Sequence, residues 1–73
     1  MEIQEIKQKL RYGDVPKIAA LVRCSSEMVR NVIVEESRNK DTELGEKITK
    51  ISSIYITSRE KLEKELELTQ GLN

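Results

Sequence analysis

Apolar residues in this chain recur three and four positions apart over most of its length, the spacing that places them on one face of a helix. Ile3, Ile6 and Leu10 form such a face over about residues 2–11. Tyr12-Gly13-Asp14 interrupts it: Gly13 suits a helix C-terminus and Asp14 can cap the next helix. Val15 precedes Pro16, so the second helix is expected to begin near Pro16 itself. Its apolar positions are Ile18, Ala19, Leu21 and Val22. After the polar stretch Arg23-Cys24-Ser25, either Ser25 or Ser26 can cap a third helix with Met28, Val29, Val32 and Ile33 on its buried side.

Residues 35–41 contain no apolar member and read as a loop. Asp41 or Thr42 caps a fourth helix, with Leu44, Ile48, Ile51 and Tyr55 on one stripe and Ile54 and Ile56 off it. Thr57-Ser58-Arg59-Glu60 fits a capping box, which predicts a break and a restart. A weakly amphipathic fifth segment, with Leu62 and Leu66 among alternating Glu and Lys, then runs to about Thr69. The expected fold is an all-α small helical bundle of four to five helices. A domain over residues 1–56 carries a C-terminal helical extension over 57–73.

Composition removes whole classes of chemistry. The chain has 73 residues, one cysteine and no histidine, so an internal disulfide framework, a Cys/His zinc site and a His-based catalytic dyad are all excluded. Its aromatic residues are two tyrosines, and the core must be built from aliphatic side chains. Tyr12 and Tyr55 are expected at the edge of the core or of an interface. No run approaches the roughly 18 apolar residues of a membrane helix, and no secretory signal is evident, which suggests a cytoplasmic protein. Carboxylates are plentiful but are scattered among lysines at helical spacing, as on a salt-bridged surface. With no glycine-rich phosphate loop, metal-ligand cluster or nucleophile–base pair, no enzyme activity, cofactor or metal is expected. Formal net charge is zero; residues 1–40 carry eight basic and six acidic residues, and 41–73 carry five and seven.

The middle of the chain meets a specific geometric demand. A reading helix held across a support helix by a turn of three or four residues needs a small residue where the two cross. Ala19 supplies it, Val22 closes the support helix, Cys24 plugs the angle as a small hydrophobe, and Val29 and Val32 pack back from the second helix. On these residues the segment Asp14 to Ile33, DVPKIAALVRCSSEMVRNVI, resembles the helix-turn-helix of the lambda-repressor and Cro-like family. With the flanking helices, the resemblance covers about residues 2–56. One position departs: where that family often has glycine at the start of the turn, this chain has Arg23. Arg23 must either adopt the left-handed backbone, at roughly 1 kcal/mol, or give the turn another shape.

The resemblance implies a sequence-specific regulator of double-stranded DNA, of bacterial or phage repressor type. Ser25, Ser26, Glu27, Arg30 and Asn31 would then face the major groove. Arg30 suits guanine, Asn31 adenine, Glu27 the cytosine amino group, and the serines a base edge or a phosphate. Lys17, Arg11, Arg38 and Lys40 would meet phosphates. Since one reading helix covers half a site, a homodimer is expected. Ile54, Tyr55, Leu62 and Leu66 offer the spare apolar surface for it. Two other readings use the same residues. One is a protein-interaction module of antitoxin or antirepressor-like type, whose acidic C-terminal half binds a protein partner. The other is a DNA-packaging or assembly subunit, whose last helices build a larger ring.

Overall fold

The computed structural model describes residues 1–35 and 41–71. Four helices account for it: α1 Ile3–Lys9, α2 Asp14–Val22, α3 Ser26–Ile33 and α4 Glu43–Gln70. No strand occurs among the described residues. The protein is a small all-α bundle in which α4 packs against α1, α2 and α3. Ile6, Ile18, Ala19, Val22, Val29, Val32, Ile33, Ile48 and Ile56 form one core. Burying each of the larger aliphatic side chains contributes about 1.5–3 kcal/mol.

Helix α1 is shorter than its periodicity predicts, and the cause is one carboxylate. Asp14 Oδ2 accepts the Arg11 backbone N–H at 2.7 Å, so that donor is not available to continue α1. Leu10 turns extended (φ −64°, ψ 136°) and closes the helix. The same carboxylate explains why α2 begins two residues before Pro16. Gly13, expected at the end of α1, instead occupies the N-cap of α2 with φ 93°. A Cβ there would meet nothing within 4 Å, so glycine is needed for its left-handed backbone and not for space. Pro16 is the third residue of the helix, where an N–H has no intrahelical acceptor, so its missing donor costs nothing.

The predicted break at Thr57 is absent: α4 runs for 28 residues, about 42 Å at 1.5 Å per residue. A capping box works only where backbone donors are orphaned, and those of a helix interior are already paired. The residues around Thr57 are instead held by tertiary contacts. Ile56, expected off the apolar stripe, is fully buried. Arg59 is drawn inward to Asp14, and Glu60 accepts from Lys9 Nζ at 3.1 Å. The extension over 57–73 is thus entered without a change of axis. The protein measures 48 × 21 × 19 Å, and its long dimension is this helix.

Gly45, Ile48, Ser52 and Ile56 are the buried residues of α4, flanked by the half-buried Leu44, Ile51 and Tyr55. Ser52 is wholly buried, and its hydroxyl has no hydrogen-bond partner among the described residues. Among these residues no helix is long and apolar enough to cross a membrane.

Candidate nucleic-acid interface

The site is built on α2, the turn of residues 23–25, and α3. Helix α2 ends where Arg23 takes the left-handed conformation (φ 67°, ψ 49°), and its N–H donates to Ala19 O at 2.8 Å. Cys24 N–H donates to the same carbonyl at 3.0 Å. Both donors turn back onto one acceptor, which reverses the chain in the space of three residues. Arg23 therefore performs the backbone task for which glycine is suited. Cys24 is half-buried and packs against the core, with Sγ donating to Ser25 O at 3.5 Å. Ser25 starts α3 as its N-cap, its hydroxyl accepting the Met28 N–H at 3.1 Å. Ala19, Val22, Val29 and Val32 are buried, so the packing positions of the motif converge on one core.

The outer face of α3 follows from the inner one. With Val29, Val32 and Ile33 buried, Glu27, Arg30, Asn31 and Val34 share the opposite side at spacings of three and four. Glu27 and Arg30 are exposed and Asn31 is half-buried. Ser26 is half-buried, and Ser25 is exposed with its hydroxyl engaged in the cap. Sequence reasoning missed Val34: it is 39% exposed and keeps helical dihedrals as the C-cap. The signal was its position three and four residues after Asn31 and Arg30.

Of the expected phosphate contacts, Lys17 is exposed in the first turns of α2. Arg11 is exposed but already engaged, its guanidinium donating to both oxygens of Glu63 at 2.6 and 3.2 Å. The Arg11 hydrogen bond in turn lowers the Glu63 carboxyl below its ordinary value. Arg38 and Lys40 lie outside the described residues. Tyr12, expected at a core or interface edge, is instead fully exposed. It lines a surface hollow with Arg11, Gly13, Val15, Pro16 and Arg30, which brings two arginines and a phenol beside the outer face of α3. Leu21, one of the apolar positions of α2, is also exposed, at 59%.

Behind this face lies a polar link that the sequence did not announce. Asp14 is 5% exposed and forms an ion pair with Arg59 of α4, while Tyr55 Oη donates to its Oδ1 at 3.4 Å. Arg59 Nη2 also donates to Lys9 O at 2.9 Å, and its guanidinium carbon lies 5.7 Å from the centre of the Tyr55 ring. Burial pushes the Asp14 carboxyl up. The Arg59 hydrogen bond, the Arg11 N–H, the charge of Arg59 and the Tyr55 hydroxyl together outweigh burial, and the net shift is downward. One guanidinium thus joins the end of α1, the start of α2 and the middle of α4, and fixes the platform that carries α3.

The four residues expected at a dimer interface differ in how accessible they are. Tyr55 packs within its own chain, on Asp14, Arg59 and the core. Ile54 lies beside Met1 and Ile3 in a groove between α1 and α4. Leu62 and Leu66 stand farther along α4, 56% and 52% exposed. No group of three or more Cys, Asp or Glu side chains is placed to hold a metal ion among the described residues. No family model, curated protein or solved structure matches this chain.

Proposed function

We propose that the protein is a sequence-specific regulator of double-stranded DNA, of repressor type, that reads the major groove with α3. One observation carries this reading. A three-residue turn, with Arg23 left-handed, sets α3 against α2 on a buried base of Val22, Val29 and Val32 and leaves Glu27, Arg30, Asn31 and Val34 facing outward. That surface combines a bidentate donor, an amide, a carboxylate and one apolar contact, the set that distinguishes base pairs in the major groove. Arg30 offers itself to guanine O6 and N7, Asn31 to adenine, and Val34 to a thymine methyl group. Lys17, with Tyr12 at the α1–α2 turn, supplies contacts to the phosphate backbone.

The test is selection from a pool of random duplexes at two salt concentrations, with light scattering on the selected complex to count protein copies. Enrichment of a defined site, weakening as salt rises, is the expected result. Arg30→Ala should leave the fold intact and cost about 1–3 kcal/mol at one base position. Lys17→Ala should weaken all sequences alike and reduce the salt slope by about 1. If no sequence is enriched and no DNA is retained at low salt, the reading fails.

A further inference from the structure

Glu63 stands between two guanidinium groups and is bonded to only one of them. Arg11 Nη1 and Nη2 donate to its two oxygens at 2.6 and 3.2 Å. The Nε of Arg59 lies 3.8 Å from the first of those oxygens, beyond hydrogen-bond reach. That Nε is buried and has no hydrogen-bond partner among the described residues. Both Nη atoms of the same guanidinium are used, on Asp14 and on Lys9 O. A buried N–H left without an acceptor is costly and uncommon. Glu63 would satisfy it by closing roughly 0.6–1.1 Å, from 3.8 Å to the 2.7–3.2 Å of a hydrogen bond. In the present geometry Arg11 holds that oxygen.

Arg11 also lines the hollow beside α3, a space of about 330 Å³ that it shares with Tyr12 and Arg30 and that no carboxylate lines. Arg30 makes no ion pair among the described residues, with Glu27 one turn before it or with any other acid. An uncompensated arginine, a second arginine and a phenol are donors suited to a phosphate. The guanidinium fork matches carboxylate and phosphate alike, so the Glu63 carboxylate occupies on Arg11 the place that a phosphate would take. Arg11 is exposed, and an exposed ion pair contributes little and is readily exchanged.

We propose that this hollow is a phosphate site which Glu63 restrains in the free protein. An incoming phosphate of the nucleic-acid backbone takes Arg11, with Tyr12 beside it and the charge of Arg30 across the hollow, and Glu63 moves onto the waiting Nε of Arg59. The source of the phosphate rests on the DNA reading above; the exchange of partners goes beyond it. Because Arg59 also joins α1, α2 and α4, the exchange tightens the support of α3 at the moment the backbone is gripped.

The test is titration of the ¹⁵N-labelled full-length protein with a random-sequence duplex at low salt, reading affinity together with the arginine Nε–H signals. DNA should move the Arg11 and Arg59 signals together, with Arg59 going downfield as its Nε–H meets a carboxylate. Glu63→Gln should tighten binding by about two- to fivefold, as expected for loss of a competing exposed ion pair, and should reduce the Arg59 shift. Arg11→Met should weaken binding and lower the salt slope by about 1. In Arg11→Met/Glu63→Gln the gain from Glu63→Gln should vanish; circular dichroism checks that each variant stays folded. DNA binding in which the Arg59 signal does not move, or a gain that persists without Arg11, overturns the exchange while the DNA reading survives. If DNA does not bind but pyrophosphate moves the same two signals saturably, the exchange stands and the phosphate is that of a free ligand. If neither DNA nor pyrophosphate moves them, the exchange and the phosphate site both fail.

Discussion

Arg59→Met tests whether one half-buried guanidinium holds three helices together. The substitution keeps most of the aliphatic stem but removes the hydrogen bonds to Asp14 and to Lys9 O. Asp14, 5% exposed, retains the Arg11 N–H at 2.7 Å and the weaker Tyr55 contact at 3.4 Å. Breaking a buried pair from one side costs about 3–5 kcal/mol because the remaining charge is left without its partner. The retained N–H lowers that to roughly 2–4 kcal/mol. A domain of 73 residues has only about 4–11 kcal/mol in total. Urea denaturation followed by circular dichroism should therefore show a large loss at pH 7, with Tm lower by at least about 10 °C. Asp14→Asn/Arg59→Met, which also removes the orphaned charge, should recover about 1–2 kcal/mol of it.

The pH dependence has a definite sign. Because the folded-state pKa of Asp14 lies below its ordinary 3.8, the unfolded chain takes up the proton first as pH falls. The stability from this group is complete well above pH 4 and is lost as pH drops through and below that value. Glu63, also lowered, works in the same direction. Without Arg59 two of the influences that lower Asp14, its hydrogen bond and its charge, are gone and burial is less opposed, so the gap between parent and Arg59→Met should narrow from pH 7 to pH 3. A loss below about 0.5 kcal/mol at pH 7, or a gap that does not depend on pH, would refute the argument.

Two further substitutions examine the backbone and the core. Arg23→Gly should stabilise the protein by about 0.5–1 kcal/mol, since an exposed residue at φ 67° gives up left-handed strain; a lower urea midpoint would mean that the arginine side chain makes up for that strain. Ser52→Ala removes a wholly buried hydroxyl with no partner among the described residues and should raise stability by about 1–2 kcal/mol. A fall in calorimetric Tm for this variant would show that the hydroxyl is satisfied in solution.

The local order of the chain was open to reading because it depends on short-range physics. The helical spacing of Ile3, Ile6 and Leu10, the polar punctuation at 23–25 and the cap at Ser25 each act within a turn or two. The positions Ala19, Val22, Val29 and Val32 were legible because a tight turn between helices permits few packing patterns. The outer face of α3 followed as the complement of its buried side, with Val34 passed over because the apolar pattern was taken as its only guide.

What escaped depended on residues far apart in the chain. Thr57-Ser58-Arg59-Glu60 and an interior helix turn are both compatible with the same four residues, and packing chose the second. Asp14 and Arg59, 45 positions apart, looked like a cap and a box member until the fold made them a part-buried pair. Tyr12 and Tyr55 are chemically alike, yet one is bare and the other is bound to that pair. Leu62 and Leu66 have helical spacing whether or not anything covers them, and their exposure appears only once α4 is seen to outrun the bundle. Periodicity specifies which side of a helix is apolar; the length of the neighbouring helices settles how much of that side is covered.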